Sequence, residues 1–254
     1  MVSNLPKSKF ATRTIHAGQS PDPTTGAIMT PIYASSTFVQ DSPGVHKGYE
    51  YARTGNPTRK AYEMCMANLE GGKSAFAFAS GLAASDTVLS LLNSGDEVLA
   101  MDDLYGGSRR LFENVRKRTS NLKFSFGDLS DSSNIEKLLT NKTKMIWVET
   151  PTNPMLKIVD LEYISKVAKK HNIITVADNT FCSPYIQRPI ELGFDIVVHS
   201  ATKFLNGHSD MVGGIVVCSK EEQAEEIAYL QNAVGAVQGP FDAFFALRGL
   251  KTLS

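Results

Sequence analysis

The segment Asp195-Ile196-Val197-Val198-His199-Ser200-Ala201-Thr202-Lys203-Phe204-Leu205-Asn206-Gly207-His208-Ser209-Asp210 passes from an apolar run into an abruptly polar one. Ile196-Val197-Val198 reads as a buried strand, and Ser200, Thr202, Lys203, Asn206, His208 and Asp210 follow it. A lysine flanked by hydroxyls just past a strand end is a candidate covalent catalyst, because a desolvated amine becomes a nucleophile. Read alone, Lys203 is better explained as a solvated surface charge, since lysine is rarely buried without a partner. The rest of the chain decides between the two.

Outward from this stretch, short strands alternate with helical patterns. Strands are expected at 74–79, 97–101, 123–126, 144–149, 173–177, 196–199 and 214–217. Helices are expected from Pro57 to about Leu69, at 82–92, after Gly107 to about Lys117, at 134–139, from Asp160 to about Lys170, at 221–233 and at 242–250. Asn56 is placed to cap the first of these and Gly71-Gly72 to stop it. Such alternation makes an α/β domain with a mostly parallel sheet. Residues 1–50 differ. Pro21, Pro23, Gly26, Pro31, Pro43, Gly44 and Gly48 punctuate them, so an extended arm rather than a helix is expected, lying on another part of the protein or on a neighbouring subunit. At the other end Phe245, Leu247, Leu250 and Leu253 continue an apolar stripe up to Ser254 with no glycine stop, which reads as a helix that should continue.

The bulk composition excludes several function classes. The chain has 254 residues, enough for one or two domains, with 42% hydrophobic and 20% charged residues. Lys plus Arg and Asp plus Glu both number 26, so nothing calls for nucleic acid or a membrane surface. Met1 to Lys9 carries no apolar core of a secretory signal, and no apolar run approaches membrane-spanning length. Cys65, Cys182 and Cys218 are odd in number and lack CxxC spacing, which suits a reducing cytoplasm. His199, His208 and Asp210 match no metal-ligand spacing, and no metal is expected.

In open α/β sheets ligands sit outside the carboxyl ends of the strands. After Phe78 come Ser80 and Gly81, after Met101 come Asp102, Asp103 and Tyr105, after Val148 come Glu149 and Asn153, and after Val176 comes Asp178. Ser80-Gly81-Leu82 can aim free backbone N–H groups at an anion, although glycine turns at helix starts are common. Asp178 could pair with a cation or merely cap the next segment, and Tyr105 could be a ring platform with an acid–base hydroxyl or simple packing. Together with Lys203 these groups suit a ligand that is anionic at one end, flat in the middle and furnished with a carbonyl for an amine. Pyridoxal phosphate held as a Schiff base is such a ligand.

Six stretches sharpen that expectation: Tyr51-Ala52-Arg53-Thr54-Gly55-Asn56-Pro57-Thr58-Arg59, Phe78-Ala79-Ser80-Gly81-Leu82-Ala83-Ala84, Asp102 to Gly107, Glu149-Thr150-Pro151-Thr152-Asn153-Pro154, Val176-Ala177-Asp178-Asn179-Thr180, and Ser200-Ala201-Thr202-Lys203 with Gly207-His208-Ser209-Asp210. In order, from about residue 13 to 254, the chain resembles the Cys/Met-metabolism family of pyridoxal-phosphate enzymes, the cystathionine γ-lyases, γ-synthases and β-lyases and the methionine γ-lyases. The resemblance implies an aspartate-aminotransferase-like (fold type I) large domain, with a mostly parallel sheet between helices. It implies residues 1–56 as an arm reaching a neighbouring subunit, 57–240 as the cofactor-binding domain, and 241–254 as the start of a linker helix toward a smaller carboxy-terminal domain. That domain would carry the arginine for the substrate carboxylate.

Residue by residue, the resemblance makes Lys203 the Schiff-base lysine and proton shuttle, and Tyr105 the ring-stacking residue that joins it in catalysis. Asp178 would pair with the pyridinium nitrogen and Asn153 would bond near the phenolic oxygen. Ser80, Gly81, Leu82, Ser200 and Thr202 would hold the phosphate. Tyr51 and Arg53 would reach the phosphate of the neighbouring subunit, so a homodimer, usually assembled as a homotetramer, would be the working unit. Glu50 and Tyr51 would meet the substrate. Gly107 stands where methionine γ-lyases typically carry a cysteine, which ranks that activity low. The implied reaction is cleavage of L-cystathionine by γ- or β-elimination in a cytoplasmic carbon–sulfur lyase. The alternatives are γ-replacement on an O-acyl-homoserine and a cofactor-binding module without catalysis.

Overall fold

A computed structural model describes residues 8–254. In chain order its elements are helix α1 (Phe10–His16), the hairpin β1 (Gln40–Ser42) and β2 (Val45–His46), α2 (Pro57–Glu70), β3 (Ser74–Phe78), α3 (Gly81–Leu89), β4 (Glu97–Met101), α4 (Gly106–Arg110), a π-helical stretch (Leu111–Arg116), α5 (Lys117–Thr119), β5 (Lys123–Gly127), α6 (Ser132–Leu138), β6 (Thr143–Glu149), α7 (Leu161–His171), β7 (Ile174–Asp178), α8 (Ser183–Ile186), β8 (Ile196–Ser200), β9 (Gly214–Cys218), α9 (Glu221–Val234) and α10 (Pro240–Leu250).

Local chemistry explains the better-defined ends. The Asn56 side chain accepts the N–H groups of Thr58 and Arg59, Pro57 occupies the first turn of α2, and Gly71 closes the helix in the left-handed conformation. Asp160 caps α7 by accepting the Tyr163 N–H at 2.9 Å, and Leu161, Ile164, Val167 and Ala168 give that helix one buried face.

The main sheet has seven strands in the order β3-β9-β8-β7-β6-β4-β5. Pairings from β8 to β5 are all parallel, whereas β9 runs antiparallel to both β3 and β8. The strands β3 and β8 therefore share a direction with β9 reversed between them. Side-chain alternation sends Val98, Trp147, Val176 and Val198 to one face, where they pack with α3, Phe112 and α9. Val197, Ile215 and Val217 face α2 and α10, while Leu99, Ile146 and Ala177 face α7. Helices thus cover both faces, as an α/β sheet buried on both sides requires.

Three local expectations need correction. The arm contains helix α1, which the Pro and Gly spacing concealed. Its Phe10 packs on the core cluster built from α2 and α10, Thr14 is buried, and the Arg13 guanidinium donates to Asn68. Tertiary contact overrides a weak local preference here. Helix α3 stops at Leu89 rather than Leu92, because the N–H groups of Ser90, Leu91 and Leu92 bond three residues back and tighten the last turn. The helix after Gly107 is regular only to Arg110 and then widens into its π segment. At the carboxy end α10 packs against α2 within the core, so Ala246, Leu247 and Leu250 are buried.

Candidate active site

Because β3 and β8 point the same way as β4, β6 and β7, their carboxyl ends reach one edge of the sheet. There they line a cavity of about 1150 Å³. Its wall includes Ser80, Gly81, Leu82, Tyr105, Asn153, Asp178, Ser200, Thr202 and Lys203. Sequence positions from 80 to 203 are brought together by the topology.

At one end of the cavity is an anion cradle. Ser80 caps α3, its hydroxyl accepting the Ala83 N–H at 3.0 Å. The first N–H groups of a helix have no intrahelical partner, and the helix dipole adds positive potential there. Gly81 lets this turn approach β8. A Cβ on Gly81 would lie 2.8 Å from the Ser200 Cβ and 2.9 Å from its Cα, closer than carbon atoms pack. The Ser200 N–H donates to the Thr180 hydroxyl at 2.8 Å, and Thr202 Oγ1 accepts the Gly213 N–H at 3.1 Å. Both hydroxyl-bearing residues are thereby fixed beside the helix start, an arrangement suited to a phosphate.

The middle of the cavity carries two carboxyl groups side by side. Glu149 and Asp178 end adjacent parallel strands and are paired in register. Burial, and next the Asp178 carboxylate, push Glu149 up to about 8. Burial also raises Asp178, against which the Thr180 hydrogen bonds and then His199 pull downward. Neighbouring carboxyl groups of this kind favour a shared proton or a bound cation.

Glu149 also sets the ring platform, since its Oε2 accepts the Tyr105 N–H at 2.7 Å. Tyr105 is half exposed and stands before α4, where Gly107 leaves room for its ring. A Cβ on Gly107 would lie 2.9 Å from the Tyr105 Cζ. Asn153 is exposed on a turn closed by the Thr152 N–H donating to the Lys157 carbonyl at 3.1 Å. Lys203 lies on the wall beyond β8 with its side chain exposed. The described residues therefore leave Lys203 exposed.

Not every expected residue reaches this cavity. Glu50, Tyr51 and Arg53 lie elsewhere. Arg53 donates to the Asn232 carbonyl at 2.8 Å in the last turn of α9, and its guanidinium sits 5.4 Å from the Tyr51 ring centroid. Asp210 lines the wall, but Asn206 and Arg248 hold its carboxylate, and His208 bonds the Asn206 carbonyl. These are loop-forming contacts. Conversely, the sequence reading assigned no role to Glu149, Thr180, Phe181 or Phe204, all of which line the cavity. Glu149 was visible as a polar strand end, and its register with Asp178 was the missing piece.

On the opposite face of the sheet, His199 Nε2 and Glu70 Oε1 lie 2.6 Å apart with both side chains fully buried. Asn179 Nδ2 donates to the same Glu70 oxygen at 2.9 Å. This cluster ties the ends of β7 and β8 to the last residue of α2.

Comparison with known proteins follows the same lines. The profile described as Cys/Met metabolism PLP-dependent enzyme matches residues 11–254. A cystathionine beta-lyase of Coxiella burnetii (strain RSA 493 / Nine Mile phase I) is 63% identical over 254 residues, covering 100% of this chain and 66% of the relative. A cystathionine gamma-synthase of Mycobacterium leprae (strain TN) is 51% identical over 246 residues, covering 96% of this chain and 63% of the relative. The crystal structure of a cystathionine gamma-lyase from Lactobacillus plantarum complexed with L-serine superposes with a TM-score of 0.94 at 48% identity, covering 96% of this chain and 64% of that one. The chain thus spans just under two thirds of the length of these relatives. It belongs to the Cys/Met metabolism family of PLP-dependent enzymes.

Proposed function

We propose that the protein is a pyridoxal-phosphate-dependent carbon–sulfur lyase that cleaves L-cystathionine by β- or γ-elimination. The observation that carries this reading is the convergence of Lys203, Asp178, Tyr105 and the Ser80-Gly81 turn on one cavity. The donor set suits the cofactor. The free N–H groups of Gly81 and Leu82, with Ser200 and Thr202, match a phosphate, and the cradle is so close that a Cβ on Gly81 would fill it. The raised Asp178 and Glu149 carboxyl groups match a cationic ring nitrogen, Tyr105 offers a flat platform, and Asn153 offers an amide donor.

When bound, pyridoxal phosphate supplies an electron sink for the charge left on the substrate α-carbon. The chain's own residues do the rest. Asp178 would pair with the ring nitrogen and favour its protonated form, and Tyr105 would stack on the ring. Lys203 takes the α-proton and delivers a proton to the departing sulfur. Elimination at the γ-carbon needs a second proton removal, from the β-carbon, for which Lys203 is again the natural shuttle.

The position of Arg53 at the end of α9, outside its own cavity, supports a shared site in which Tyr51, Arg53 and Glu50 serve a neighbouring subunit of a homodimer or homotetramer. The arm would then span residues 1–56, of which 1–7 lie outside the described residues, with 57–240 as the cofactor-binding domain and 241–254 as the start of a linker helix. Cys65, Cys182 and Cys218 are buried and unpaired, which supports a cytoplasmic setting. Among the described residues no helix is long and apolar enough to cross a membrane.

Borohydride treatment with pyridoxal 5'-phosphate, followed by digestion, should attach the pyridoxyl group to Lys203, and its absence there overturns the reading. Lys203→Ala should lose both turnover and visible absorbance. The similarity to a cystathionine gamma-synthase favours one second reading, γ-replacement on an O-acyl-homoserine. Assaying pyruvate, 2-oxobutyrate and cystathionine as products separates the three activities.

A further inference from the structure

Two loops that carry ring-facing residues are bolted together outside the cavity. One is 102–107, which presents Tyr105, and the other is 150–157, which presents Asn153. Asp103 Oδ2 accepts the Thr152 hydroxyl and, at 2.9 Å, the Met155 N–H. That same Thr152 hydroxyl oxygen accepts the Lys157 N–H at 2.8 Å, and Thr152 is fully buried. The Lys157 ammonium donates to both Asp102 oxygens at 3.1 and 3.0 Å and to Asp128 Oδ2 at 2.8 Å. Asp102 in turn accepts the Asp103 N–H at 2.7 Å. Three strand ends, those of β4, β5 and β6, are joined at one lysine.

We propose that Asp103 and Lys157 are positioning residues that hold Tyr105 and Asn153 in one register over the cavity. The inference rests on the reading that the cavity takes pyridoxal phosphate. Neither side chain lines the cavity, so each acts through another residue. Asp103 bonds the Asn153 turn from the Tyr105 loop at two places, Thr152 and Met155. Its two acceptor contacts flank Asn153 on both sides in sequence. Charge supports the same arrangement. The Lys157 ammonium, then the Ser130 hydroxyl and N–H, hold Asp128 down at about 2. The Asp128 and then the Asp102 hydrogen bonds raise Lys157, so the bridge is ionised throughout the neutral range. Groups held by such outer contacts can lose about 10- to 100-fold in ligand affinity or rate when the contacts go.

The test compares Asp103→Ala, Lys157→Met and Lys157→Arg with the parent. Amide hydrogen exchange on the cofactor-free protein reports the clamp, and titration with pyridoxal 5'-phosphate reports its effect on the site. Asp103→Ala and Lys157→Met are expected to speed exchange in 103–107 and 152–157 together by about tenfold while β7 and β8 stay protected. Both should weaken cofactor binding about tenfold and shrink its visible circular dichroism. Lys157→Arg, which keeps a donor for both carboxylates, should restore binding and dichroism. Exchange confined to one loop, or parental affinity and dichroism in both variants, overturns the proposal. Paired exchange in a parent that binds no pyridoxal phosphate supports the clamp and overturns the cofactor reading instead.

Discussion

Replacing Glu149 with Gln tests the electrostatics of the cavity directly. Glu149 and Asp178 end adjacent strands in register, and burial followed by Asp178 raises Glu149 from 4.5 to about 8. Folding therefore favours the protonated acid. The stabilisation is complete below the unfolded value and is lost as pH climbs through the folded one. Within that window each pH unit costs about 1 kcal/mol for one carboxyl group. Gln keeps an acceptor for the Tyr105 N–H but does not titrate. Asp178 is also raised and slopes the same way in both proteins, so the informative quantity is the difference between them. Between pH of about 5.5 and 7.5 the cofactor-free parent should lose about 1 to 3 kcal/mol relative to Glu149→Gln. Urea unfolding at several pH values reads this out, with the slope m held constant as the check on comparable unfolding. Parallel curves for the two proteins would refute the coupled-carboxyl picture.

Gly81→Ala should destabilise the protein by about 1 to 3 kcal/mol, since the new methyl meets Ser200 backbone and Cβ at 2.9 and 2.8 Å. It should also weaken pyridoxal 5'-phosphate binding, and a variant as stable and as tightly bound as the parent would show the cradle to be looser than described. His199→Ala removes one half of the buried pair with Glu70 and should cost about 3 to 5 kcal/mol in urea unfolding. A loss under about 1 kcal/mol would mean that Asn179 alone satisfies Glu70.

The alternation of strands and helices was legible because each element carries its own period, and the strand-end polar residues followed from it. Lys203, Asp178, Tyr105 and Ser80 could be nominated from their places after apolar runs. Register was not legible. Nothing local tells Glu149 that it will stand beside Asp178, or Glu70 that it will meet His199 across the fold. Helix α1 was hidden for a related reason, since Phe10 and Arg13 stabilise it through contacts with distant residues. The resemblance assigns Tyr51 and Arg53 to a neighbouring subunit's site, and this chain's own fold leaves them by the end of α9, outside its cavity.

The reversed strand β9 has a consequence for synthesis. Strand β3, which leads into the anion cradle, pairs with no other strand of the main sheet, and its partner residues run from Gly214 to Cys218. As the chain emerges, β3 and the Ser80-Gly81 turn must wait for about 140 further residues, roughly 7 to 28 s at ordinary translation rates. The parallel strands from β4 to β8 can assemble in that interval, leaving β8 as an open edge. Closure by β9 joins the cradle to the lysine-bearing loop in one late step. The cradle therefore forms abruptly once β9 has emerged, and the nascent chain carries an apolar unpaired strand until then.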